Sequence, residues 1–222
     1  MNFPPAESGT KGKLLRAAAH VFAEKGYIAA TVRDICQRAD ANVAAVNYHF
    51  GDKKNLYDAV LRRLFSECEG PSEQELDTSL PAEERLAAFI RRSVLEIYGD
   101  SDLNDDYGQL AALFLMELAH PSENWPNLIH EYMLPDSLLL HEIVSKVLGP
   151  HSSPEKIRQC CISIYGLMAH HALCWPIISV IHDDHPELRS FRDRLAEHVI
   201  EFALTALRGI KDNHNESHTR LA

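Results

Sequence analysis

The chain has no G-x-S-x-G elbow, no P-loop, no dinucleotide fingerprint and no H-E-x-x-H pair in its 222 residues. Each of those patterns places a nucleophile, a phosphate cradle or a metal, so the common enzyme chemistries have no foothold. Glu117 and His120 form the acid–histidine pair at one-turn spacing in an apolar helix, an arrangement too common to carry a reaction. No catalytic residue is nominated. The five cysteines are odd in number and show no C-x-x-C spacing. That excludes a regular disulfide framework and suits a reduced, cytoplasmic setting. His171 and Cys174 lie one turn apart with Cys160 and Cys161 upstream, but structural zinc wants four ligands in tighter pairing. Neither a metal nor a cofactor is expected. No apolar run is expected to approach the ~20 residues of a membrane span, so no membrane partner is expected. Met1 to Gly9 has no basic segment leading into an apolar one, so no signal peptide is expected. Strand alternation and internal repeats are also missing.

What is present is an ordinary globular composition, 45% hydrophobic and 24% charged. The net charge is -10, which at first argues against nucleic acid. The charge is unevenly placed, however. Ten Lys and Arg stand against six Asp and Glu through Phe65, and twelve against twenty-six from Ser66 onward. A basic head on an acidic body fits DNA contact by one end.

Residues 31–54 carry two short helical patterns back to back. Val32, Ile35, Cys36 and Ala39 recur on one helix face. Thr31 stands at the N-cap with Asp34 three residues on, a capping box with Asp in place of Glu. Ala39-Asp40-Ala41 breaks the pattern, and Asp40 can take the left-handed conformation of a tight exit. Asn42 can cap a second helix, Val43 to about His49. Val43, Val46 and Phe50 can face inward at helical spacing. Ala44, Ala45, Asn47, Tyr48 and His49 are left on outer or bordering faces. Asn can pair with adenine and Ala can touch a thymine methyl. Tyr48 and His49 can donate to phosphates, which fix register. Asp52 caps a third helix whose first turn holds Lys53 and Lys54, cations that make sense there if a phosphate also sits at the helix start. The layout is a helix-turn-helix.

The stretch Thr31 to Leu56 resembles the DNA-binding signature of the TetR/AcrR family of transcriptional regulators. The matching features are Thr31-Val32-Arg33-Asp34-Ile35, Tyr48-His49-Phe50, and Lys53 ahead of Leu56, within a match spanning residues 11 to 60. Asp40 departs from the family's usual turn glycine, and Ala44 from a common Gly or Pro. The resemblance implies a homodimeric regulator, usually a repressor, that leaves its operator when a small molecule binds its C-terminal half. It adds Thr31 and Arg33 to the expected DNA contacts Asn42, Val43, Ala44, Ala45, Asn47, Tyr48, His49, Lys53 and Lys54. The second half, around Met116-Glu117-Leu118-Ala119-His120-Pro121, resembles a subgroup with a CerR-type C-terminal domain, which implies no particular ligand.

The chain as a whole predicts an all-α protein of about nine helices. A tail covers residues 1–9, a DNA-binding domain 10–65, a regulatory and dimerisation domain 66–210, and a mobile tail 211–222. Lys11, Lys13 and Arg16 open the first helix and Gly26 ends it. Residues 68–81 are expected to be a loop. One helix is expected over Ala82 to Tyr98, a charged loop over Gly99 to Asp106, and a nearly all-apolar helix from Tyr107 to about His120. A further helix runs from Pro126 to about Leu148, kinked or split at Pro135. The last two run from Pro154 to about Cys174 and from Pro186 to about Leu207. Their wide apolar stripes suggest a four-helix interface across a two-fold axis, using Ile157, Cys161, Ile164, Tyr165, Met168, Leu195, Val199 and Phe202. An effector pocket is expected among Phe89, Phe114, Met116, Leu139 and Trp175, with Glu117, His120 or His170 orienting the ligand. The expected partners are an operator duplex, a second copy of the chain and an unidentified small molecule. The alternatives are an activator or ligand-free DNA binder, and a helical enzyme or adaptor with no DNA role.

Overall fold

The computed structural model describes residues 9–66, 71–98, 113–114, 116–186 and 188–219, and its regular elements are all helical. The chain folds as two units, each with its own core. The first takes in the described residues of Met1–Cys68 and Asp100–Tyr132, and the second those of Glu69–Gly99 and Met133–Ala222. The expected boundary at residue 65 is therefore crossed: a stretch of the second half, ending at Tyr132, packs with the N-terminal helices. The expected loop at 99–106 and the start of the helix at Tyr107 lie outside the described residues.

In the first unit α1 spans Thr10–Ala29. Gly26, at φ 74°, breaks its winding, a conformation that costs glycine least. Helices α2 (Val32–Ala39), α3 (Val43–Phe50) and α4 (Lys53–Ser66) follow at short intervals. Leu14, Ala18, Phe22, Ile35, Val46, Leu56 and Leu61 are fully buried and hold the four helices together. Leu113, Trp125 and Leu128 join the same core.

The second unit starts with α5 (Glu73–Leu76), a short helix inside the expected loop, and α6 (Ala82–Tyr98). The helical turn α7 (Trp125–Leu128), in the first unit, has Pro126 in its first turn as expected. A π-helical segment, Ile129–Met133, leads directly into α8 (Leu134–Leu148), which has Pro135 in its own first turn. The expected kink or split at Pro135 takes the form of a change of winding just ahead of it. Helix α9 is longer than expected, Pro154–Ile181, and passes through Pro176. An interior proline removes the backbone hydrogen bond to the carbonyl four residues back, here that of Ala172, and costs about 3 kcal/mol. Helix α10 runs over Leu188–Thr219, past Lys211 where the tail was expected to begin. In this unit α6 packs against α8, α9 and α10.

The second unit also buries charge. Glu75 is fully buried and takes Arg92 through both of its carboxylate oxygens, at 2.9 and 3.0 Å. Arg92 also reaches Glu96 and Asp136, and the buried Arg85 pairs with Glu142. Such a network contributes little net stability, but removing one partner leaves the others unpaired in the core.

Candidate nucleic-acid interface

The α2–turn–α3 unit is built by local hydrogen bonds that its sequence encodes. Asp34 N–H donates to Thr31 Oγ1 at 3.1 Å, and Thr31 N–H donates to Asp34 Oδ2 at 3.1 Å. The bonds from Thr31, and Lys25 beside it, hold the Asp34 carboxyl below its ordinary range. Asp40 ends α2 in the left-handed region at φ 50°, and its N–H reaches back to Cys36 and Gln37. Asn42 Oδ1 then accepts from Ala45 N–H at 2.9 Å and starts α3.

Val46 is the buried residue of α3. Asn42, Val43, Ala44, Asn47 and Tyr48 are exposed, Tyr48 at 85%. Ala45, His49 and Phe50 border the subunit surface. The Tyr48 and His49 rings meet edge-on at 4.9 Å. An open concavity runs along this face, lined by Thr10, Asp40, Ala41, Asn42, Ala44, Ala45, Tyr48 and His49. Arg33, Lys11 and Lys13 are also exposed. The arrangement offers a narrow helix with small residues at its start, one amide for base edges and an aromatic hydroxyl for the backbone.

Four of the expected contacts have other work. The Thr31 hydroxyl is held in the capping box, and the Asn42 carbonyl oxygen is the α3 cap. Lys53 Nζ donates to the Ala30 carbonyl at 2.8 Å and lies 4.5 Å from the centre of the Tyr27 ring. It closes the α1–α2 connection instead of pointing at a phosphate. Lys54 pairs with Glu123 at 2.5 Å, which raises its pKa. Nothing local in the sequence signals either lysine's partner, because Ala30 lies 23 residues from Lys53 and Glu123 lies 69 from Lys54.

Helix α4 is held along its length within the first unit. Tyr57 Oη donates to buried Glu117 at 2.8 Å, and the other Glu117 oxygen accepts from Ser122 N–H and Oγ–H at 3.0 and 2.7 Å. Burial, then the bond to Glu117, pushes the Tyr57 hydroxyl far above its usual range. Arg62 pairs with Glu131 at 2.5 Å. Phe65 stacks on Tyr132 at 5.7 Å and packs against Trp125 and Phe114.

The expected pocket residues are not brought into one unit. Phe114, Met116, Glu117 and His120 belong to the first, with Glu117 committed to Tyr57 and His120 exposed. Phe89, Leu139, His170 and Trp175 belong to the second, where Phe89 is core, Leu139 packs on it and His170 is exposed.

The expected dimer residues are likewise corrected. Ile157, Cys161, Ile164, Met168, Leu195 and Val199 are buried inside their own unit, and Tyr165 packs against that core. Phe202, 54% exposed, stays available. The outward face of α9 is apolar instead, with Ile162, Leu173, Ile177, Val180 and Ile181 exposed. No Asp, Glu, Lys or Arg occurs between Gln159 and His182. By length and composition α9 could cross a membrane, which corrects the expectation that no run comes close. Its inner face lies in the core of the second unit.

Two family models match the chain. Residues 14–60 match the bacterial regulatory proteins of the tetR family. Residues 82–210, more than half of the chain, match the C-terminal domain of the HTH-type transcriptional dual regulator CecR, the domain that the second-half resemblance gave as CerR-type. The HTH-type transcriptional repressor KstR2 of Rhodococcus jostii is 33% identical over 98 residues, 42% of this chain and 48% of that one. The HTH-type transcriptional activator FasR of Mycolicibacterium smegmatis is 36% identical over 80 residues, 36% of each chain. The chain thus spans about half the length of these curated relatives or less. Among solved structures, the ketosteroid regulator KstR2 of Mycobacterium tuberculosis superposes with a TM-score of 0.62 at 17% identity, covering 90% of this chain and 95% of that one. FadR of Bacillus subtilis in complex with stearoyl-CoA gives 0.59 at 19% identity, covering 85% and 96%. At these identities the structures show a shared fold.

Proposed function

This chain belongs to the TetR family of bacterial regulatory proteins, and we propose that it is a homodimeric, sequence-specific DNA-binding repressor released from its operator by a small molecule. The observation that carries this reading is the bareness of α3. Apart from Val46 and its borders, that helix spends no side chain on its own subunit. Asn47 is the base reader, Val43 and Ala44 make apolar contact in the groove, and Arg33, Tyr48 and His49 hold the backbone.

One eight-residue helix reads too few base pairs to be selective, so a second copy is needed. The outward stripe of α9, with Phe202 on α10, supplies the surface for it. An apolar face of this size is costly to leave in water, and a two-fold partner covers it with the same face. The effector binds in the C-terminal domain and favours a spacing of the two reading helices that the operator does not accept. FadR's stearoyl-CoA and KstR2's ketosteroid association support a large apolar effector here too.

A titration onto the duplex flanking the chain's own gene tests this. Affinity should fall steeply between low and moderate salt as phosphate contacts are lost. A helical adaptor would show no salt-dependent binding.

A further inference from the structure

Helix α9 changes character at Ala172. Up to Met168 its inner residues are core, but among the described residues none of α9 past Ala172 belongs to that core or packs on it. The turn where this happens is interrupted twice. The hydroxyl of buried Tyr98, on α6, donates to the Met168 carbonyl at 2.8 Å and accepts from the Ala172 N–H at 3.0 Å. Those are the two groups that a plain α-helix joins to each other. One turn on, Pro176 has no N–H for the Ala172 carbonyl. A side chain set into the ladder and a proline are both places where helices bend. Beyond Ala172 the residues Leu173, Ile177, Val180 and Ile181 are exposed.

An aromatic cluster centred on His185 ties this segment back. His185, in the connection to α10, lies 5.6 Å from Trp175 and 5.9 Å from His171 on α9, and 4.7 Å from Phe191 on α10. His171 Nδ1 is buried with no hydrogen-bond partner. Burial, then His185, His170 and His198, opposes the charged form of His171. The acids on the surrounding elements are engaged elsewhere or exposed. Glu96 of α6 and Asp136 of α8 are taken by Arg92, and Glu197 of α10 by Arg91. Asp183 and Asp184, beside His182 in the connection, are exposed, and Asp193 pairs with Arg192. Arg194 lies over the Phe191 ring at 5.1 Å.

We propose that residues 173–181 form a hinged arm, latched by His171 against His185, that acid releases. The hinge is the turn from Met168 to Pro176. Swinging out takes His171 into water and away from its fellow histidines, where a proton costs least. The arm carries most of the outward stripe of α9, so its position sets which apolar residues stand in line for whatever covers them. The device belongs to the single subunit, and it stands or falls apart from the dimer reading.

Hydrogen exchange on the full chain at pH 7.5 and 5.5, corrected for the intrinsic rate, tests the arm. A histidine of ordinary pKa near 6.5 in the open arm is about ten to one protonated at pH 5.5. Amides at 173–181 should therefore lose about tenfold in protection, while those at 140–148 and 195–203 in the core keep theirs. His171→Phe keeps a ring beside His185 that cannot charge, and should abolish the loss. Pro176→Ala returns the missing N–H, and should raise arm protection at least about threefold at both pH values. Unchanged protection at 173–181 in the wild type overturns the proposal, as does a loss shared equally by the core. A wild-type loss in His171→Phe overturns the latch, and unaltered arm protection in Pro176→Ala overturns the hinge. If His171→Phe does not fold, His171→Gln is held to the same outcome.

Discussion

Asp40 holds a left-handed backbone at φ 50° where glycine would be unstrained. Asp40→Gly should therefore stabilise the first unit by about 0.5–1 kcal/mol, measured by urea unfolding, with DNA preference unchanged. Lys53→Ala should act the other way. It removes a donor from the Ala30 carbonyl and should lower stability by about 1 kcal/mol, while the salt slope of DNA binding stays the same. A reduced slope would return Lys53 to the phosphate contacts. Asn47→Ala should relax base preference at one position, whereas Tyr48→Ala should weaken all sequences alike. His171 titrates in a different place. Burial, then the nearby His185, His170 and His198, lowers its pKa below the ordinary histidine value. A base with a depressed folded pKa binds protons more readily when unfolded. Its stabilisation is complete above the unfolded pKa of about 6.5 and is lost as pH falls toward the folded value. Thermal unfolding from pH 7.5 to 5 should show this loss, and His171→Phe should flatten it.

Local elements were legible where their bonds are local. The Thr31–Asp34 box, the turn at Asp40 and the Asn42 cap join residues three or four apart. Their side chains alone predict α2 and α3. The grip on α4 was not legible, because Tyr57–Glu117 spans 60 residues and Arg62–Glu131 spans 69. Helix α9 failed for another reason: it is apolar nearly all round, so periodicity does not say which stripe faces inward. Ile157, Cys161, Ile164 and Met168 turned in, and Ile162, Leu173 and Ile177 turned out. The same long-range bonding makes Glu117 a test at this scale. Glu117→Ala leaves the Tyr57 hydroxyl and the Ser122 N–H without their acceptor, and should cost about 2–3 kcal/mol in an unfolding titration. Tyr57→Phe, which leaves the carboxylate its two Ser122 donors, should cost less.

For the whole molecule, the charge split and the two units point the same way without coinciding. The basic excess lies ahead of Phe65, but the first unit also takes in residues near Tyr132. Assembly depends on the outward stripe of α9. Ile177→Glu with Phe202→Glu should give a monomer in sedimentation at micromolar concentration, and a folded monomer should bind DNA at least ~100-fold more weakly, because one of two half-sites is lost. The most direct measurement is a footprint of the full chain on the duplex flanking its gene, taken at two salt concentrations. The expected result is a pair of protected half-sites roughly 34–36 Å apart or a multiple of that, fading together as salt rises. Protection of one isolated site, or protection that Asn47→Ala and Tyr48→Ala leave intact, would contradict a bare α3 presented twice to the groove.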